Sequence, residues 1–264
     1  MKEKLRSFPN DTSALKIPLI GITLPNPKYH IVRPNSEITV VEYVRSGTGY
    51  IIIDGKPTEV SAGKVYLLCA GENQEYYYSE DEPWEKVFIN TSGPLAQIIP
   101  QTFGLKGFNI FDSDGLEDIF ERVEQIVEKT SEADDCKNTA VLFFEAIYML
   151  AKKQRDLKHR DEAVKLKSYI DENIQRIVKN DELACLIFRS YDYCIKLFTA
   201  EYGITPYEYQ LKCKIEYTCM LLNNTNMSIA DVGAAVGYTD PQYFSGLFKK
   251  RVGMPPSAYR KRSK

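Results

Sequence analysis

Two histidines, His30 and His159, are all that the 264 residues offer toward imidazole chemistry. A three-histidine metal site cannot form, and no nucleophile is paired with a base, so catalysis is not expected. The chemistry that remains is recognition, and it falls into two groups. Tyr76, Tyr77, Tyr78 and Trp84 lie close together in the sequence. Flat aromatic faces of this kind stack on sugar rings while a few polar groups fix orientation. If Tyr76 to Tyr78 is a strand, Tyr76 and Tyr78 point one way and Tyr77 the other, so the same aromatics also suit a core. At the far end, Lys249 to Lys264 holds seven bases and no acid. Such a tail suits an anionic partner as well as it suits solvent.

The elements that must carry these groups follow from composition and pattern. The length points to two domains, and 44% apolar residues can fill a core in each. The six cysteines show no metal or redox spacing and read as reduced thiols. No stretch reaches the roughly 18 apolar residues a membrane helix needs. The charged start, Met1 to Arg6, lacks the apolar run of a secretory signal, so a cytoplasmic protein is expected. The net charge of −2 is unevenly spread. Residues 181–264 carry 11 Lys and Arg against 8 Asp and Glu, a net of +3, which leaves −5 on the rest.

Residues from about 15 to 100 read as β structure, with turn signals at Pro34-Asn35, Ser46-Gly47, Asp54-Gly55, Ala62-Gly63 and Ala70-Gly71. Asp54-Gly55, set between two β-rich runs, predicts a tight hairpin. Evenly spaced short strands favour a small barrel or sandwich. From Leu116 to Lys129 the apolar residues recur at helical spacing, and Thr139 to Lys153 gives a second helix. Residues 154–163 are charged and aperiodic, and are taken as the linker or a loop beside it. The reading is α+β, with a front domain over 1–160 and an all-α domain over 161–264.

The all-α domain contains a duplication. At an offset of 50, Tyr193, Leu197, Phe198, Gly203, Pro206 and Tyr209 match Tyr243, Leu247, Phe248, Gly253, Pro256 and Tyr259. Ser190 and Asp240 are good N-caps, and Pro241 suits the first helical position. Gly203 and Gly253 can adopt the left-handed conformation that ends a helix. Upstream of the second copy, Ser228-Ile-Ala-Asp231 opens a helix that should end near Gly237. Helix, tight turn, helix is a helix-turn-helix, and the chain holds two, joined by a helix from Pro206 to Asn223. Tyr193, Leu197, Phe198, Tyr243, Phe244, Leu247 and Phe248 are expected to be buried. Asp192, Ile195, Lys196, Thr199, Gln242, Ser245, Gly246 and Lys249 then face outward.

The run from Ser228 to Arg260 (SIADVGAAVGYTDPQYFSGLFKKRVGMPPSAYR) resembles the signature of the AraC/XylS family of transcription regulators. The resemblance covers roughly residues 165–262. It implies two recognition helices entering successive major grooves, about 34 Å apart on one face of double-stranded DNA. The outward residues match the family's base-reading faces. Gln242 has the amide that reads adenine, and Lys196 can donate to guanine or to a phosphate. Lys250, Arg251, Arg260 and Lys261 suit phosphate or solvent. Many relatives carry Arg where this chain has Gly246, and Asp192 and Ile195 stand where polar or basic residues are commoner.

The front half resembles, more loosely, the family's cupin-like effector domain, through Tyr29 to Arg33, Tyr43 to Gly49, Ser61 to Leu68, and Pro83-Trp84 followed by Phe88 to Pro94. That resemblance implies a β-barrel binding a small effector, commonly a sugar, with Arg33 at a position matching a ligand-contacting arginine of some relatives; Tyr43, Tyr76, Tyr78 and Trp84 are the other candidate contacts. Gln74 stands where many relatives have histidine. The helices over 116–153 would pair two subunits, or would simply close the core of the barrel. The partners expected are therefore DNA, a small-molecule effector, a second copy of the chain and, for an activator, RNA polymerase; no cofactor or membrane is. Two alternatives stay open: a non-sugar effector, or a front domain that only dimerises.

Overall fold

The computed structural model describes residues 3–8, 14–26, 28–53, 55–105, 107–129 and 134–262. The chain divides into two compact units, Met1–Arg155 and Asp156–Lys264. In the first, β1 (Glu3–Ser7), β2 (Lys16–Thr23), β3 (His30–Arg33), β4 (Ile38–Ser46) and β5 (Thr48–Ile53) are followed by β6 (Lys56–Ser61), β7 (Lys64–Leu68), β8 (Gln74–Tyr78) and β9 (Glu85–Ser92). Helix α1 (Pro94–Thr102), strand β10 (Asn109–Asp112) and helix α2 (Glu117–Glu128) come next, and then α3 (Asp135–Glu172). The strands form a six-stranded sheet in the order β1-β2-β9-β4-β7-β10 and a four-stranded sheet in the order β3-β8-β5-β6.

Alternation along β4 explains the layering. Val41 and Tyr43 face a core made with α2 and α3, whereas Val40 and Val44 face the space between the sheets. Both faces of β4, β7 and β9 are covered, so these strands are buried along most of their length, polar residues such as Glu42, Lys86 and Thr91 included. Helix α2 lays Ile119, Phe120 and Val123 on the six-stranded sheet. The hairpin at Gly55 forms, with β5 and β6 antiparallel and Ile53 opposite Lys56. Asp54, the other half of that turn signal, lies outside the described residues.

Three expectations need correction. Strands β1 and β10 extend the sheet beyond residues 15–100 at both ends. Residues 94–102 are helix rather than strand, because Pro94 takes the first helical position, where its missing N–H costs nothing. The charged stretch 154–163 is not a loop; it lies inside the 38-residue α3. Arg, Lys, Glu, Gln and Leu are good helix formers, and no Gly or Pro interrupts them. The absence of an apolar stripe there marks a solvated helix surface, not a break.

The second unit continues with α4 (Asn180–Leu186), α5 (Tyr191–Tyr202) and α6 (Pro206–Asn224), then α7 (Ile229–Ala235), α8 (Pro241–Val252) and α9 (Pro256–Arg262). It has two small cores. Leu183, Cys194, Leu197 and Phe198 centre one, and Leu222, Val232, Phe244 and Phe248 the other. No helix among the described residues is long and apolar enough to cross a membrane.

Candidate nucleic-acid interface and effector barrel

Each recognition helix starts and stops on the residues the sequence supplies for it. The Ser190 hydroxyl accepts from the Tyr193 N–H at 3.3 Å. The Asp240 carboxylate accepts from the N–H groups of Gln242 and Tyr243 at 2.8 and 3.2 Å. Gly203 and Gly253 end α5 and α8 at φ 75° and 86°. Ser228 caps α7, accepting from the Asp231 N–H and donating to its carboxylate. Thr205 and Glu208 form a reciprocal box at the start of α6.

On α5, Asp192, Lys196 and Thr199 are exposed, and Ile195 among them is half-buried. On α8, Gln242, Lys249 and Lys250 are exposed. The helical steps of four and three between Asp192, Lys196 and Thr199, and between Gln242, Gly246 and Lys249, gather each set, with Ser245 beside the second, on one face. Arg251 is exposed but lines a groove of about 380 Å³ with Leu211, Ile215 and Glu216 of α6, apart from that face. Gly246 has open space around it: nothing lies within 4 Å of where a Cβ would stand. The expected burial of Tyr243 is wrong, since it is 57% exposed. Its counterpart Tyr193 donates to Glu162 at 3.0 Å and packs beside His159, both on α3. The ring of Tyr243 meets that of Tyr238 instead. In α5 the deeply buried position falls to Cys194, which matches Phe244 in the repeat.

Lys214 on α6 is not marked by its sequence context, yet it ties the two helix-turn-helix units together. Its side chain is buried, and Nζ donates to the carbonyls of Ile174 at 2.6 Å, Arg176 at 2.8 Å and Val236 at 2.6 Å. The first two precede α4 and the third ends α7. Burial and the Arg176 guanidinium push the ammonium down to about 8, whereas three carbonyl acceptors favour its charged form. A lysine within a run that mixes apolar and polar residues gives no signal of this.

In the barrel the structure brings Arg33, Tyr76 and Trp84 to the inward side and places Tyr43 elsewhere. Arg33 donates to the Tyr76 hydroxyl at 2.9 Å. Tyr78 is half-buried on the same face of β8 as Tyr76. Tyr43 faces α2, its ring 5.3 Å from Phe120, so its placement does not suit a contact inside the barrel. Gln74, a neutral amide, donates to the Ile38 and Cys69 carbonyls and serves the loop structure.

The inward side also holds groups that the sequence reading misses. Lys86 is fully buried, paired with the buried Glu42 and donating to the Tyr66 hydroxyl at 2.9 Å. Its Nζ lies 4.0 Å from the ring centre of Trp84, 4.5 Å from Tyr76 and 4.8 Å from Tyr29. The register explains the meeting: Lys86 stands opposite Val44, one diagonal step from Glu42 on the same face. Burial lowers the Lys86 ammonium while Glu42 pulls it back up, and burial drives the Tyr66 and Tyr76 phenols well above their ordinary range. Glu42 within the apolar run Thr39 to Val44 is the one available signal, since a carboxylate buried in a strand needs a partner.

Comparison with known proteins decides the family. Residues 19–143 match the model of the AraC-like ligand binding domain, and residues 184–262 match a helix-turn-helix domain. The chain belongs to the AraC/XylS family. It is 25% identical to the Msm operon regulatory protein of Streptococcus mutans, over 84% of each chain. It is likewise 25% identical to the lactose operon transcription activator of Staphylococcus xylosus, over 91% of this chain and 89% of that one. The MmsAB operon regulatory protein of Pseudomonas aeruginosa is 41% identical, but across only 97 residues, 37% of this chain and 32% of that protein. This AraC/XylS member is thus a helix-turn-helix transcription regulator with a ligand-binding domain, and its family is one of regulators rather than enzymes.

Proposed function

We propose that this regulator is a cytoplasmic homodimer that activates transcription in response to a carbohydrate bound by its barrel domain. The observation that carries the sugar reading is the concentration of tyrosines on the four-stranded sheet, in a domain whose relatives include regulators named for the lactose and Msm operons. Its test is a thermal-shift screen of the full-length protein against mono- and oligosaccharides. A ligand at a hundredfold excess over its Kd stabilises the native state by about 2.7 kcal/mol. A shift with one sugar series supports the reading, and a hit only among other metabolites replaces it.

The domain boundary is proposed near residue 160, within α3. For DNA, Gln242 on α8 and Lys196 on α5 are the proposed base readers, and Lys249 and Lys250 the proposed phosphate contacts. Gln242→Ala should weaken specific DNA more than random DNA; equal weakening would assign Gln242 to the backbone instead. For the second copy, the surface that fits is an apolar stripe on α3: Val141, Phe144 and Tyr148 are about half exposed at helical spacing, beside Phe103.

A further inference from the structure

The aromatic residues inside the barrel are closed to a ligand in this structure. Tyr76 and Trp84 are each 1% exposed, and Tyr66 and Lys86 not at all. Trp84 lies flat on the backbone of β5, so close that a Cβ on Gly49 would come within 2.3 Å of its ring. The space that rings of this kind would offer a guest is filled by the Lys86 ammonium. Ring faces that remain open lie at the end of the four-stranded sheet, where β3 begins and β8 ends.

There a pocket of about 490 Å³ is floored by tyrosines, within the range of about 300–1,000 Å³ typical of small-molecule sites. Tyr50 and Tyr77 are cross-strand partners, which puts their rings side by side on the outer face. Their centroids are 5.5 Å apart and their planes 31° from parallel, so they make one broad platform. His30 stands against the far edge of Tyr77 at 5.6 Å. Tyr78 and Tyr29 approach from the inward side, and Lys28 and Glu80 complete the rim. A rim with one cation, one carboxylate and several hydroxyls has no net demand for a charged ligand. It offers donors and acceptors around an aromatic floor.

We propose that the effector site is this lip pocket, and that it takes a neutral, hydroxyl-rich ring stacked on Tyr50 and Tyr77 rather than one enclosed between Trp84 and Tyr76. The proposal rests on the reading of the barrel as a carbohydrate sensor and adds the site. Stacking buries the C–H face of a sugar ring on the tyrosines while its hydroxyls reach His30, Lys28 and Glu80. Both platform tyrosines point outward, so replacing them leaves the packed interior untouched.

The test is calorimetric titration of the full-length protein with galactose, lactose and raffinose, using wild type, Tyr77→Ala, Tyr77→Phe and Arg33→Gln. For the sugar that binds wild type, Tyr77→Ala should weaken affinity about tenfold or more, a step of about 1.4 kcal/mol. Tyr77→Phe keeps the ring and should stay within about threefold of wild type. Arg33→Gln, which alters the inward side, should behave likewise. A sugar that binds wild type and Tyr77→Ala equally, or loses affinity only with Arg33→Gln, overturns the lip site and leaves the carbohydrate reading standing. No binding by any of the three sugars overturns both.

Discussion

The two helix-turn-helix units share one plan but reach it with different residues. In the second, the turn after α7 uses Gly237 at φ 86°. In the first, the equivalent left-handed position after α4 is taken by Phe188 at φ 55°, a residue that is 91% exposed. A bulky residue there is strained, whereas glycine is not. The recognition helices differ as well. Helix α8 ends on Lys249, Lys250 and Arg251 and has no acid in its first turn; α5 has Asp192 in its first turn and no base in its last. The second unit therefore has the less strained turn and the more electropositive recognition helix. The contrast teaches that a duplicated motif can keep its geometry while one copy lacks the residues that make that geometry cheap.

The largest expected effect tests what holds the copies together. Lys214→Met leaves three buried carbonyls without a donor and should destabilise the second unit by about 3 kcal/mol or more. Lys214→Arg should recover part of that in urea unfolding. If Lys214→Met unfolds like wild type, the clamp is incidental.

Next comes the turn itself. Gly237→Ala meets the Arg176 backbone at 2.8 Å as well as an unfavourable φ, and should cost about 2 kcal/mol or more. Phe188→Gly should do the reverse in the first unit, adding roughly 0.5–1 kcal/mol by relieving strain. Equal and small effects of both would erase the contrast between the turns.

Gly246 sharpens the contrast between the helices. With open space around it, Gly246→Arg should fit without repacking and tighten DNA binding several-fold, by about 1 kcal/mol. Unchanged affinity in a mobility-shift titration would place residue 246 off the DNA.

The smallest effect is a pH dependence confined to the first unit. Arg176, the Lys179 N–H and the Tyr169 hydroxyl hold the Glu182 carboxyl down to about 2. A carboxyl lowered on folding contributes stability above its unfolded value of 4.5, and that contribution is lost as pH falls from there toward 2. Glu182→Gln should flatten that part of the acid-unfolding curve; an unchanged curve would mean that solvent screening has removed the effect.

The two domains are unequally legible for a physical reason. Helix ends are written locally: Ser190, Gly203, Ser228, Asp240, Pro241 and Gly253 each act within a few residues of themselves, so their spacing alone reveals the repeat. The hairpin at Gly55 is legible on the same ground. The meeting of Glu42 with Lys86, and of Tyr50 with Tyr77, depends on which strands pair and in what register, which no local pattern states. Lys214 escapes notice because its three partners come from two separate segments. Phe188 escapes because nothing in its neighbourhood marks a left-handed residue. The charged part of α3 misleads because a missing apolar stripe looks like missing structure.

The most direct test of the two-unit DNA reader is selection of binding sites by the full-length protein from random duplex DNA, followed by footprinting of the enriched sites. The expected result is two protected major-groove blocks on one face of the duplex, about one helical turn or roughly 34 Å apart, with the block under α8 the more strictly specified. A single protected block, or no enrichment over random sequence, would contradict it.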